Sequence, residues 1–326
     1  MASDVLRWGV VGTGGIARAF VEDLATTTSG RVVAVGSRSR DAAEHFADTF
    51  GIEHRHGSYA SLVEDPDVEA VYVATPHPMH HPNCLAALRA GKAVLVEKPF
   101  TMDATEAREL VTTARAHGVF LMEAMWTRFL PHIVAIRRLL DEGALGRIVS
   151  VHADHGQWFA YDPRHRLFAP ELGGGALLDL GIYVVSFASM VLGKPDRVLA
   201  LADATATGVD SQTSILLGYA SGAQAVLTCT LLARSPNRAA IVGTEARVEI
   251  DGVFYAPTSY SVIRRTGETT RVENQHRQPG RGFRHEADEV ARCVRAGLLE
   301  SSQMPLDETL AIMETMDAVR SARRGA

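Results

Sequence analysis

Over the first 125 residues the apolar positions follow two alternating periods. Short, almost wholly apolar runs stand at Arg7–Gly12, Arg31–Ser37, Ala70–Ala74, Ala93–Glu97 and Phe120–Glu123. Between them, helix-period stretches occupy Ala17–Thr26, Arg40–Phe50, His81–Ala90 and Thr105–His117. Strands without a polar face are covered on both sides. Strands alternating with helices predict right-handed βαβ units in a doubly wound parallel sheet.

Past residue 147 the rhythm changes. Arg147–Gly156 reads as a strand and Gly174–Leu192 as one long apolar helix. Strand-like runs follow at Arg197–Thr205, Thr213–Tyr219, Ala223–Leu232, Arg238–Val242 and Ala246–Ile250, with turn signals at Ala220-Ser221-Gly222 and Asp251-Gly252. That succession predicts an open, mainly antiparallel sheet. Helices at Phe283–Ala296 and Leu306–Ala322 close the chain. The expected organisation is an α/β protein with a Rossmann domain over 1–125 and an α+β domain over 126–326, sharing a rigid cleft. The last helix is expected to pack back on the first domain. One face of the second sheet, read from Ile215, Leu217, Tyr219, Val226, Thr228 and Thr230, is expected to join subunits into a homodimer or homotetramer.

Composition narrows the class. The chain has 326 residues, 46% of them hydrophobic and 22% charged, which excludes a mainly disordered protein. A net charge of −5 gives no electrostatic reason to expect nucleic acid or an acidic membrane. Cys84, Cys229 and Cys293 are too scattered for a disulfide framework and suit a reducing, cytoplasmic setting. Asp4 and Arg7 stand where a signal peptide needs apolar residues. The uncharged run Ser211–Ala233 contains Gln212, Thr213, Gln224 and Thr228 and reads as two strands and a turn, not a membrane span.

Gly12-Thr13-Gly14-Gly15-Ile16-Ala17 fits G-x-G-x-x-A between a strand and a helix. Gly12 permits the turn, Gly14 lets backbone amides approach a pyrophosphate, and Ala17 allows close helix packing. At the end of the second strand an NAD enzyme usually carries a carboxylate for the ribose hydroxyls. This chain reads Ser37-Arg38-Ser39-Arg40 there, with no acid before Asp41. Hydroxyls and guanidiniums suit a 2′-phosphate, so the expected cofactor is NADP(H).

Glu97-Lys98-Pro99 and Thr75-Pro76-His77-Pro78-Met79-His80, together with the glycine loop, resemble the glucose-fructose oxidoreductase / inositol dehydrogenase / MocA-type family. Glu123 to Phe129 and Gly173 to Tyr183 resemble its branch containing dimeric dihydrodiol dehydrogenase and NADP-dependent D-xylose dehydrogenase. The resemblance implies that Lys98 stands at the reacting carbonyl, before a cis bond to Pro99. It also implies that Tyr183 is the acid/base where many relatives carry histidine, and that Thr75, Pro76, His77, His80 and Glu97 face the cofactor.

The residues support that chemistry. Lys98 ends a parallel strand, where open sheets bind ligands, and an ammonium there stabilises a developing alkoxide. Asp179 and Tyr183, four apart on a helix, share a face. A phenol with reference pKa near 10 needs a neighbouring cation at neutral pH, and Lys98 would supply one. Asp179 would accept substrate hydroxyls or orient Lys98. Trp126 and Arg128 are expected beside the nicotinamide, and Arg166 in a loop over the cofactor.

No metal is expected. His152 and His155 lie three apart in a strand and face opposite sides, and no carboxylate or thiol cluster completes a set around His77, His80 and His81. The expected reaction transfers hydride between nicotinamide and a secondary alcohol, lactol or ketone of a sugar or vicinal diol. The alternatives are a ketoreductase of nucleotide-linked sugars, a catalytically silent NADP sensor, and an enzyme recycling a tightly held cofactor between two substrates.

Overall fold

The structure is a computed structural model that describes residues 5–274 and 280–322. It divides into two compact units, Met1–Trp126 with Gln278–Leu310, and Thr127–Arg277 with Ala311–Ala326.

In the first unit the strands are β1 (Leu6–Val11), β2 (Gly30–Gly36), β3 (His54–His56), β4 (Ala70–Val73), β5 (Ala93–Glu97) and β6 (Leu121–Ala124). They pair in parallel in the order β3-β2-β1-β4-β5-β6. The order reverses between β1 and β4, which makes their carboxyl ends the place for a ligand. Helices α1 (Gly15–Leu24), α2 (Arg40–Phe50), α3 (Tyr59–Val63), α4 (His80–Arg89) and α5 (Ala104–His117) link the strands. Their ends follow local chemistry. The Ser39 hydroxyl accepts from the Ala42 amide to start α2, Asp103 accepts from Thr105 and Glu106 to start α5, and Gly51 and Gly118 end those helices in the left-handed region. The core holds Phe20 stacked on Tyr72 at 3.8 Å, with Trp8 edge-on to Phe20 at 5.5 Å.

The second unit opens with α6 (Pro131–Asp141) and β7 (Ile148–Gly156). A π-helical turn at Leu177–Gly181 then leads into α7 (Ile182–Leu192). The remaining strands are β8 (Arg197–Ala204), β9 (Asp210–Gly218), β10 (Gln224–Thr230), β11 (Ala239–Gly243), β12 (Ala246–Ile250), β13 (Tyr260–Arg264) and β14 (Thr269–Val272). The sheet order is β14-β13-β12-β11-β7-β10-β9-β8, antiparallel except for the β7–β10 pair. The fold class and the β9–β10 hairpin are as the pattern predicts. The stretch Pro170–Leu192 is long and apolar enough to cross a membrane, but 83% of its most apolar window is buried within the protein, as befits a core helix.

The sheet face expected to join subunits needs correction. Ile215, Leu217 and Tyr219 lie on the buried side, which α7 and the π turn cover. Val226 lies on the opposite side with Leu216, its cross-strand partner, and Leu199. A one-residue change of parity moves a strand side chain to the other face. Helices α8 (Phe283–Arg295) and α9 (Leu306–Ala322) complete the chain, α8 within the first unit.

Candidate active site

In the first unit the glycine loop leaves β1 with Gly12 at φ 110°, and a Cβ there would lie 2.8 Å from the Ala74 carbonyl oxygen. Both the backbone conformation and the close approach of β4 therefore require glycine. A Cβ on Gly14 or Gly15 would meet nothing within 4 Å, and Gly14 at the N-cap has no side chain to cap this turn. Flanked by half-buried Thr13 and Ile16, it presents helix N-terminal amides to open space, which fits a pyrophosphate.

At the end of β2, Ser37 is buried and its hydroxyl accepts from the Ser39 amide at 3.3 Å. Arg38 is exposed. Arg40 is exposed too, and its Nε donates to Glu44 one turn along α2 at 2.8 Å.

Around the ends of β4 and β5 the chain is tied together by backbone contacts. His80 is fully buried, with Nε2 2.9 Å from the Thr75 carbonyl and Nδ1 2.8 Å from that of Pro99. Burial pushes its imidazole down to about 4, and the Lys98 charge adds to this against the pull of the two carbonyls. His80 thus braces the Lys98 segment. Asn83 donates to the Thr75 hydroxyl at 3.2 Å, Pro76 is exposed, and the buried His77 ring lies 5.7 Å from that of His80. Buried Glu97 accepts from the Tyr72 hydroxyl and, at 3.1 Å, from the Lys98 amide. The Lys98–Pro99 bond is cis, and the Phe100 amide donates to Glu123 at 3.0 Å. The backbone bearing half-buried Lys98 is thereby fixed on both sides. Trp126 is buried against Phe283, ring centroids 4.9 Å apart.

In the second unit, Asp179 sits in the π turn and Tyr183 in the first turn of α7, both buried. The turn is built by contacts that exclude larger residues. A Cβ on Gly175 would lie 2.4 Å from Asp210 Oδ1, and one on Gly181 would lie 3.0 Å from Cys229 Sγ. Asp210 Oδ2 accepts from the Leu177 amide at 2.7 Å. Single π turns within helices recur at functional sites. Arg166 grips Asp179 with both terminal nitrogens, at 3.0 and 3.5 Å. Arg128 is buried, donating to the Ser186 hydroxyl at 3.1 Å and its carbonyl at 2.7 Å, so it anchors the helix that carries Tyr183.

Two neighbours of Tyr183, and the glutamine that joins them, escape sequence reasoning. Its ring lies 5.1 Å from that of His155 and 5.2 Å from that of Tyr255. Gln157 Nε2 stands 3.0 Å from His155 Nε2 and donates to the Tyr255 hydroxyl at 3.1 Å. Thr127 and His132 hold the Tyr255 segment through the Tyr255 and Phe254 carbonyls, at 2.9 and 3.1 Å. Strand parity does place His155 inward, with His152 exposed; nothing in the local pattern links either to Tyr255, a hundred residues on. Glu286, in the first turn of α8, was also missed. It is fully buried with neither carboxyl oxygen hydrogen-bonded among the described residues, and burial, then the charges of Glu97, Asp23 and Glu123, raise it well above the usual carboxylate range.

A parallel sheet with an open glycine turn, and an open-sheet unit bearing a tyrosine–aspartate pair, define a dinucleotide-dependent oxidoreductase. The chain belongs to the GFO/IDH/MocA oxidoreductase family. Residues 6–125 match its "Oxidoreductase family, NAD-binding Rossmann fold" and residues 133–249 its "GFO/IDH/MocA C-terminal domain". Among relatives, the trans-1,2-dihydrobenzene-1,2-diol dehydrogenase of Mus musculus is 40% identical over 97% of this chain and 96% of its own. That of Xenopus laevis is 40% identical over 95% and 96%. Among solved structures, aldose-aldose oxidoreductase from Caulobacter crescentus, complexed with glycerol, superposes with TM-score 0.89 at 26% identity over 98% of each chain. KijD10, a 3-ketoreductase from Actinomadura kijaniata in complex with NADP and TDP-benzene, does so with TM-score 0.85 at 30% identity, again over 98% of each.

Proposed function

We propose that this protein is an NADP(H)-dependent oxidoreductase interconverting a secondary alcohol or lactol with a ketone or lactone in a sugar or vicinal diol. The observation that carries the chemistry is Tyr183 held beside His155 and Tyr255, one turn beyond an aspartate pinned by Arg166. The names of the relatives, a diol dehydrogenase and an aldose-aldose oxidoreductase, support the substrate class. Preference for NADP(H) is supported by Ser37 and Arg38 at a strand end without a carboxylate, and by NADP in the KijD10 complex.

When bound, the nicotinamide supplies a hydride acceptor or donor. Tyr183 takes or returns the hydroxyl proton at its phenolic oxygen, and His155 and Gln157 order the surroundings of that ring. Lys98 Nζ stabilises negative charge on the reacting oxygen, from a backbone that His80, Glu97 and Glu123 hold in place. Asp179, aimed by Arg166, accepts from a second hydroxyl, which favours vicinal diols over simple alcohols. We place the enzyme in a reducing cytoplasm, with Cys84, Cys229 and Cys293 all buried as thiols. We also propose a homodimer formed through the outer sheet face at Leu199, Leu216 and Val226.

The test is initial rates with NADP⁺ and NAD⁺ over aldoses, inositols and trans-diols. NADP⁺ activity on one class should fall about 100-fold or more in kcat in Tyr183→Phe and Lys98→Ala. NAD⁺ preference would overturn the cofactor reading. Unchanged kcat in both variants would overturn the catalytic assignment. Reduction of a nucleotide-linked keto sugar alone would favour a ketoreductase of nucleotide-linked sugars. NADPH binding without turnover on any substrate would point to a sensor.

A further inference from the structure

We propose that His54, His56 and Asp65 form a binding site for a first-row divalent metal of the zinc class at the edge of the Rossmann sheet. β3 is an edge strand, and residues two apart on a strand face the same side, so His54 and His56 both present their rings there. Asp65 comes to them two residues beyond the end of α3. Its Oδ1 accepts from the Asp67 amide at 2.9 Å, and its main-chain carbonyl accepts from Lys92 Nζ at 2.8 Å, which fixes the side chain from behind. Its Oδ2 is left facing the rings, 2.6 Å from His54 Nδ1 and 2.9 Å from His56 Nε2.

One ligand atom from each residue lies within 4.8 Å of the others. Ligand atoms of a tetrahedral zinc ion stand about 2.0–2.2 Å from the metal. Side-chain rotations of about an ångström would open the three to receive one. The carboxylate is 4% exposed while the His54 and His56 side chains are 30% and 19% exposed, so the set is rooted in the fold and open on one side for entry and for water. Two imidazoles and one carboxylate suit Zn²⁺, Co²⁺, Ni²⁺ or Cu²⁺ over Mg²⁺ or Ca²⁺, which prefer oxygen ligands. Asp67 Oδ2, 3.8 Å from His54 Nε2, sits where it can accept from a metal-bound histidine and fix its ring. The Lys92 ammonium opposes a cation, but its donors are turned onto the Asp65 and Val68 carbonyls.

The site adjoins the cofactor segment. The His56 carbonyl accepts from the Ser37 amide at 3.1 Å, and Gly36 pairs with His56 across β2 and β3. A metal on these rings would therefore stiffen the strand beside Ser37 and Arg38.

The experiment is titration of the metal-stripped full chain with Co²⁺ and Zn²⁺, following Co²⁺ visible absorption and the Zn²⁺ dependence of Tm. Wild type and an exposed-histidine control, His45→Gln, should bind one equivalent with a visible band of low-coordinate cobalt and gain in Tm with Zn²⁺. His54→Gln and His56→Gln should each bind at least 10-fold more weakly and lose the band, with circular dichroism unchanged. Equal affinity in those variants, or no binding by wild type at millimolar metal, would overturn the site and reduce the cluster to a hydrogen-bonded trio. Neither result bears on the dehydrogenase reading, since none of the three is placed in its chemistry.

Discussion

Glu286 is the residue at which the first unit's charges conflict most sharply. Its carboxyl is fully buried, lacks a hydrogen bond among the described residues, and faces the charges of Glu97, Asp23 and Glu123, so the folded protein holds it protonated well above the normal range. Below about pH 4.5 both folded and unfolded chains are protonated there. As pH rises beyond that, the unfolded chain ionises first, so stability falls until the folded-state value is passed. Glu286→Gln should remove this dependence. Urea unfolding at pH 5, 6, 7 and 8 should show the variant gaining on wild type by up to about 1.4 kcal/mol per pH unit; parallel curves would show that the carboxyl ionises in the fold. Gly12 is constrained sterically instead. Gly12→Ala places a methyl 2.8 Å from the Ala74 carbonyl oxygen at φ 110°. It should cost about 1–3 kcal/mol of stability and raise the KM for dinucleotide; an unchanged Tm and KM would refute the close-approach argument. Gly12 was legible in the sequence because its requirement is local. Glu286 was not, because its conflict arises from three acids distant along the chain.

At the scale of elements, α1 and α8 are joined through one carboxylate. Buried Asp23, near the end of α1, accepts from the amides of Arg281, Gly282 and Phe283 at 3.0, 2.7 and 2.8 Å, across the start of α8. A carboxylate there satisfies orphan amides and complements the helix dipole. Asp23→Ala should therefore lower unfolding free energy by about 2 kcal/mol or more. The loss should appear in urea unfolding together with faster amide exchange in the first turn of α8; a loss under about 0.5 kcal/mol would mean water replaces the cap. The parallel strands and their helices could be read because apolar runs and caps are local signals. β3 could not, since His54-Arg55-His56 has no apolar residue and is defined only by pairing with β2. β13 and β14 are a polar edge hairpin, and the π turn emerges from the packing of Gly175 and Gly181 against Asp210 and Cys229. The polar loop around Arg166 suggests a place over the cofactor; its pairing with Asp179 is a tertiary fact.

For the whole molecule, the outer face of the eight-stranded sheet decides how copies would meet. Register sets one row across it: Leu199 opposite Leu216, Leu216 opposite Val226, Val226 opposite His152 and His152 opposite Ala240. Leu199 is 64% exposed, Leu216 39% and Val226 43%, and Leu201 on the same face is 69% exposed. Four large aliphatic side chains in neighbouring strands form a contiguous apolar surface, the kind that marks an interface. A two-fold axis lying parallel to the sheet, between two such faces, would bring each row against its own copy, giving the self-complementary contact of a dimer. The opposite face is already filled by α7, so the inward residues Ile215 and Leu217 contribute to folding and not to association. The proposed dimer therefore predicts a mass near twice 35.2 kDa by light scattering. Leu216→Glu, which sets like charges against each other across the axis, should shift this to 35.2 kDa while circular dichroism stays the same. Ile215→Glu instead buries a carboxylate on the inner face of β9, which packs on the π turn, and should unfold the unit before it alters association. A wild-type protein that is monomeric at tens of micromolar would overturn the interface, and a Leu216→Glu protein that stays dimeric would move it to another surface.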